Sequence, residues 1–323
     1  MKEQPDIANH QRNAFRADVI EGLSKLQKTL PSRWLYDDRG SELFEQITTV
    51  AEYYPTRTET GILRENAGDI ARFCGRHATI IEYGAGAGIK TEILLGALDD
   101  PLLYLPVDIA GDFLLHAVER IEHRFPQLAT RPIVADFTTE FDLPPDAPND
   151  GHRTGFFPGS TIGNLDASDT SAFMRRMRRH VGRDGTAVVG IDLKKDIGTL
   201  LAAYDDREGV TAEFNLNILR RINRELAGNF PLERFVHTAR WNKTAAAIEM
   251  HLTSLDARDV TIDDHTFSFA AGETIHTESS RKYSVDDVAQ MAERSGWMVD
   301  KVWTDPGRLF AVAGFSATDG VPA

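Results

Sequence analysis

A strand-like run that stops in a cluster of glycines sets the strongest constraint on this chain. Residues 78–83 read ATIIEY and lead directly into Gly84-Ala85-Gly86-Ala87-Gly88. β-Branched and aromatic residues favour a strand, and glycine lets the backbone turn sharply and approach a ligand closely. Similar runs recur at 102–109 (LLYLPVDI), 132–137 (PIVADF), 155–160 (GFFPGS) and 186–193 (TAVVGIDL), with helical stretches such as 91–98 and 111–124 between them. Continuous apolar strands alternating with helices predict a parallel sheet covered on both faces. Nearer the C-terminus the rhythm changes. Residues 284–295 read as a helix opened by Ser284, with Asp286 and Asp287 in its first turn. Residues 297–304 and 308–315 then flank Asp305-Pro306-Gly307 as a hairpin. The expected fold is α/β, a parallel sheet finished by an antiparallel hairpin.

Two segments stand outside this rhythm. One runs to residue 58. The other covers 194–282, with a helical piece at 213–226 and strand-like runs at 235–241, 246–254 and 260–269. They read as one inserted α+β substrate-facing subdomain. The expected division is thus 59–193 with 283–323 as the sheet domain, and 1–58 with 194–282 as the subdomain. A chain of 323 residues is long enough for two cores. The net charge of −13 argues against nucleic acid as the main partner, because phosphate binding needs a basic face. The one basic cluster, 174–180 (MRRMRRH), reads as a solvated helix face. Cys74 is the single cysteine, so no internal disulfide and no cysteine-based zinc site can form, and the ten histidines show no HExxH. No metal is expected. The polar start lacks an apolar signal core, and no apolar run approaches the ~20 residues that span a bilayer. These features predict a soluble protein of a reducing, cytoplasmic compartment; a monomer acting on a small molecule is the expectation.

The strand ends carry the chemistry. In the dinucleotide fingerprint G-x-G-x-x-G the third glycine comes three after the second, whereas here it comes two after. With Glu82 before the first glycine, the loop reads E-x-G-x-G-x-G and resembles the S-adenosylmethionine (SAM) motif of methyltransferases. No Gly-Lys-Ser/Thr follows, so a P-loop is excluded. Asp108 ends the second strand, where a carboxylate can accept both hydroxyls of a ribose. Asp136 ends the third and can accept from an adenine amino group, with Phe137 bordering the ring. Either acid alone could equally be a solvent-exposed residue. Three such features in register point to a nucleoside at the carboxyl edge of the sheet. Lys90, two past the last glycine, suits the methionine carboxylate. The fourth strand leads into 159–165 (GSTIGNL), without the Asn/Asp-Pro-Pro-Tyr/Phe that many methyltransferases of small amines carry there.

The whole pattern resembles the histidine-specific Nα-methyltransferases of ergothioneine biosynthesis, which make hercynine from histidine and three SAM. The matching stretches are 34–37 (WLYD), 40–44 (GSELF), 52–59 (EYYPTRTE), 159–164 (GSTIGN), 203–206 (AYDD), 209–212 (GVTA), 214–215 (FN), 223–226 (NREL), 248–250 (IEM) and 277–280 (TESS). They span nearly the full chain, and several fall in the two segments outside the sheet rhythm. The resemblance implies a Rossmann-like class I SAM methyltransferase sheet with an inserted substrate-binding subdomain. It implies SAM contacts at Gly84, Lys90, Asp108, Asp136, Phe137 and Gly159. It implies histidine contacts at Tyr53, Asn164, Tyr204, Met250, Glu278, Ser279 and Ser280. Tyr36 and Asn164 are the candidate catalytic side chains, and Tyr36, Phe44 and Met250 would line the pocket. The glycine loop departs from the Gly-Ser-Gly-Thr-Ser-Glu-Lys-Thr of other members, but keeps both leading glycines and the lysine.

Within that scheme Asn164 and Tyr204 would donate to the substrate carboxylate, Glu278 would accept from one imidazole nitrogen, and Ser280 would meet the other. An indole offers one donor and no acceptor, which disfavours tryptophan as the substrate. The glycine spacing disfavours a nicotinamide-dependent oxidoreductase, and intact residues for both ligands disfavour a non-catalytic SAM-binding protein. Bland roles compete at single positions. Tyr36, Tyr53 and Met250 could be plain core, and Glu278 could be a surface strand residue paired with Arg281 or Lys282.

Overall fold

The computed structural model describes residues 4–86, 88–148 and 152–318, so Ala87 of the glycine loop lies outside the described residues. The chain forms two compact units, Tyr54–Lys195 with Arg281–Ala323, and Met1–Tyr53 with Asp196–Ser280.

The first unit is built on one sheet. Across it the strands run Trp297–Thr304, Phe310–Ala317, Thr186–Asp192, Arg153–Phe157, Thr79–Tyr83, Leu103–Asp108 and Ala129–Thr130, with Ile133–Val134 also pairing Leu103–Asp108. The pairs from Thr186–Asp192 onward are parallel. The last two strands of the chain form an antiparallel hairpin, and Phe310–Ala317 docks antiparallel on Thr186–Asp192. Side chains alternate between two cores, as the pleat requires. Ile81 and Tyr83 pack with Leu105, Val107 and Phe157 on one face. Ile80 packs with Tyr104, Phe156 and Val188 on the other. Burial on both faces is why these strands read as unbroken apolar runs.

Three expectations need correction here. Residues 132–137 give only the two-residue strand Ile133–Val134, because Asp136 turns the chain by accepting from Thr138 N (2.9 Å) and from its hydroxyl (2.5 Å). The first domain boundary falls at Tyr53/Tyr54 and not after 58, because residue 58 sits inside the helix Tyr54–Glu65, whose Ile62 and Leu63 belong to the sheet core. The basic cluster is not a uniformly solvated face. It lies in the helix Ala167–Val181, where Arg176 is buried and donates to Phe137 O (2.9 Å), Arg178 donates to Gly296 O (2.9 Å), and Arg179 pairs with Glu140 at the surface.

The second unit holds a four-stranded sheet in the order Lys28–Thr29, Thr274–Arg281, Ala247–Ser254, Phe235–Asn242. The run expected as one strand at 260–269 is a hairpin, Arg258–Ile262 with His265–Phe269, turned through Asp263 at φ 50°. The helices Asp38–Thr49 and Val210–Glu225 complete the unit's core. Asp37 caps the first of them by accepting from Gly40 N (2.8 Å) and also accepts from Asn217 Nδ2 (2.6 Å) on the second. Gly40 has no room for a side chain, since a Cβ there would lie 1.7 Å from Leu35 O.

Candidate active site

The carboxyl edge of the first unit's sheet gathers most of the expected nucleoside-binding residues. Thr79–Tyr83 is fully buried and exits into Gly84, Gly86 and Gly88 at φ 71°, 49° and 73°, a region that penalises any Cβ. Gly88 then caps the helix Ile89–Ala97. Asp108, at the end of the neighbouring strand, accepts from Ala110 N (2.9 Å) and Gly86 N (3.4 Å), which ties strand end to glycine loop. Burial raises its carboxyl above the ordinary range, opposed by those backbone N–H groups. Phe137 borders the same loop, with its Cε1 3.4 Å from where a Cβ on Gly84 would sit. Its ring is held by Phe157 (5.4 Å) and Phe173 (5.6 Å). Asp136 stands beside it in the turn described above.

Glu82 serves the loop from beneath. It is 1% exposed and accepts from Thr91 Oγ1 (2.8 and 2.7 Å) on the helix and from the Tyr104 hydroxyl on the next strand. Burial pushes its carboxyl up to about 8. Lys90 and Gly159 meet through a residue to which sequence reasoning gave no role. The Glu59 carboxylate accepts from Gly159 N (3.0 and 2.9 Å) and pairs with Lys90 Nζ. Glu59 sits inside the EYYPTRTE stretch, which was the signal available for it. Ser160 follows with a left-handed φ of 56°, unusual for a side-chain-bearing residue, and its hydroxyl accepts from Asp192 N (2.9 Å). Asn164 closes the short turn Thr161–Asn164 and is half-buried.

In the second unit the expected pocket residues form an aromatic cluster. Tyr36 meets Phe44 (5.6 Å) and Phe214 (5.3 Å), Phe44 meets Tyr53 (6.2 Å), and Tyr53 meets Tyr204 (6.2 Å). The Tyr204 hydroxyl donates to Ser280 Oγ (2.7 Å), and Glu278, two residues earlier on that strand, is buried. Buried Glu278 is not the surface strand residue that its TESSRKY context allowed. Ser279 meets His276 Nε2 (3.1 Å), and Met250 is buried, its carbonyl accepting from Thr277. Phe214 and Asn215 stood in a matching stretch without an assigned role, and His237 was not singled out from the sequence. His237 Nε2 faces Tyr204 O (2.8 Å) and its Nδ1 faces Asn215 Nδ2 (2.9 Å). An amide can only donate there, so Nδ1 accepts and Nε2–H donates, and burial lowers the imidazole's pKa to keep that neutral form.

A strand–glycine–helix turn, an acid at the next strand end and a bordering phenyl ring offer what a nucleoside needs. With a parallel sheet closed by an antiparallel hairpin, they define a class I SAM-dependent methyltransferase. A family model described as "Histidine-specific methyltransferase, SAM-dependent" matches residues 15–317, and the chain belongs to that family. It is 38% identical over 311 residues to the histidine N-alpha-methyltransferase of Mycolicibacterium smegmatis, covering 95% of this chain and 96% of that protein. It is 37% identical over 317 residues to the histidine N-alpha-methyltransferase of Mycobacterium tuberculosis, covering 95% and 98%. A 200-residue stretch is 31% identical to ergothioneine biosynthesis protein 1 of Neurospora crassa, covering 61% of this chain and 23% of that protein.

Proposed function

We propose that the protein transfers methyl groups from SAM to the α-amino nitrogen of free L-histidine, three in succession, giving the trimethylated betaine hercynine on the way to ergothioneine. SAM supplies an already activated sulfonium methyl, so the protein's task is to bind, align and desolvate. Positioning of this kind is worth ~7–11 kcal/mol in well-oriented cases. Gly84, Asp108, Asp136, Phe137, Lys90 and Gly159 hold the co-substrate. Asn164 and Tyr204 donate to the carboxylate of histidine, with Tyr53 as a further contact, and Tyr36 lines the pocket as a candidate catalytic side chain. Glu278 and Ser280 read the imidazole, with Ser279 beside them and Met250 behind.

The observation that carries this reading is the Tyr204–Ser280 bond beside buried Glu278 in a unit whose other wall is aromatic. It supports a pocket in which Tyr204, a donor for the substrate carboxylate, stands beside the imidazole-reading side chains. An apolar side chain would leave those polar groups unpaired at ~1–3 kcal/mol each, which is how such a site rejects leucine or phenylalanine. The test is mass spectrometry after incubating the protein with SAM and a mixture of amino acids. Histidine should gain three methyl groups, all on the α-nitrogen. Methylation on the ring, or consumption of tryptophan in place of histidine, overturns the assignment. In steady-state kinetics, Glu278→Ala should raise the Michaelis constant for histidine roughly tenfold to a hundredfold, from the ~1.5–3 kcal/mol of a charged hydrogen bond, and leave SAM binding nearly intact.

A further inference from the structure

We propose that Glu59 is a SAM-binding residue, accepting the α-ammonium of the methionyl end while Lys90 takes the carboxylate. From sequence, Lys90 looks like a lone cation waiting for an anion. In the structure it is one half of a pair. The Glu59 side chain is 1% exposed, it accepts from Gly159 N–H through both oxygens, and it pairs with Lys90 Nζ. Its seat is built into the sheet. A Cβ at Gly190 would lie 1.9 Å from Glu59 Oε1, so the strand Thr186–Asp192 leaves out a side chain where the carboxylate rests. The pair also stands at the carboxyl edge, where Gly159 follows the strand Arg153–Phe157 and Lys90 opens the helix after the glycine loop. That edge is where ligands bind in such sheets.

Energetics favour a binding role over a purely structural one. A buried ion pair stabilises a fold less efficiently than apolar side chains of the same volume, because both ions lose their water. An amino acid end is itself a zwitterion. Lys90 alone would neutralise its carboxylate and leave its ammonium desolvated without a charged acceptor, which is costly. A fixed carboxylate beside a fixed ammonium matches both charges at once and keeps the site neutral.

The proposal rests on SAM being the co-substrate, and its test separates the two. Calorimetry should compare S-adenosylhomocysteine with 5′-methylthioadenosine, which shares the nucleoside and thioether and lacks the amino acid end. In Glu59→Gln the affinity for S-adenosylhomocysteine should fall roughly tenfold to a hundredfold, as expected for loss of a charge-assisted bond, and that for methylthioadenosine should stay unchanged. Unchanged methylthioadenosine binding also reports an intact fold. Gly190→Ala, which displaces the carboxylate, should give the same selective loss. An equal fall for both ligands, or none for either, overturns the assignment of Glu59. Should neither variant fold, the native protein decides: an S-adenosylhomocysteine analogue without its α-amino group must bind at least tenfold more weakly, and equal binding overturns the proposal. Native protein that fails to bind S-adenosylhomocysteine at all would instead fail the SAM reading.

Discussion

Glu82 is bonded to Thr91 on the helix Ile89–Ala97 and to Tyr104 on the next strand, and burial lifts its carboxyl to about 8. Near neutral pH it is therefore an uncharged acid that fastens helix to sheet under the glycine loop. The folded value lies above the unfolded one, so the native state binds the extra proton between the two. Its stabilisation is full below the unfolded value of about 4.5 and is lost as pH rises through about 8. Thermal denaturation of Glu82→Gln and native protein from pH 5 to 9 should show native stability falling relative to the variant by on the order of a few kcal/mol. Parallel curves would mean that Glu82 is ionised in the fold. Asp108 is a less buried acid whose carboxyl burial also raises, against the backbone N–H groups that hold it. Asp108→Ala should weaken SAM binding by roughly 1.5–3 kcal/mol and barely touch histidine binding. Unchanged SAM affinity by calorimetry would return Asp108 to a purely structural role.

At the scale of elements, His237 joins three pieces of the second unit. From the strand Phe235–Asn242 it donates to the carbonyl of Tyr204, the last residue of the helix Ile197–Tyr204, and accepts from Asn215 on the helix Val210–Glu225. Asn215 also donates to His251 O (3.3 Å) on the neighbouring strand. Tyr204 thus reaches Ser280 from a backbone held by a neutral imidazole. His237→Ala leaves buried groups of Tyr204 and Asn215 without that partner, at ~1–3 kcal/mol each. We expect lower stability together with a raised Michaelis constant for histidine, and a SAM affinity close to native. A variant that melts lower yet keeps native histidine kinetics would make His237 structural only.

For the molecule as a whole, the three places where the chain passes between its units converge on one carboxylate of the first unit. Tyr54 follows the first crossing, Lys195 precedes the second, and Lys282 lies just after the third. Asp192 accepts from the Tyr54 hydroxyl (2.8 Å), from Lys195 Nζ (2.5 Å) and from fully buried Lys282 Nζ (2.8 Å). Burial lowers the Lys195 pKa, and Asp192 opposes that shift. Removing one partner of a buried charge cluster costs ~3–5 kcal/mol, because the other charges stay buried. Asp192→Asn should lower the melting temperature by on the order of 10 °C for a unit of this size. A melting temperature within a degree or two of native would show that solvent screens the cluster.

Much of the sheet was legible because its signals are local. The helix Gly111–Arg124 and the strand Trp297–Thr304 have the bounds that periodicity alone suggests. Ser284 and Asp287 form the capping box of the helix Val285–Arg294, where neighbouring residues satisfy each other. Gly84, Asp108 and Phe137 were legible for a related reason: each sits at or just beyond a strand end, and the parallel register brings those ends to one edge. Tertiary structure decided the rest. Glu59 reaches Lys90 across 31 positions and Gly159 across 100, and no pattern within a window of sequence pairs residues so far apart. The same holds for Arg176, which periodicity places on a charged helix and packing buries against Phe137 O. Periodicity reports which face of an element is apolar. Which distant polar group a buried charge will meet depends on how the elements pack, because an unpaired charge is excluded from the interior and only the assembled fold supplies its partner.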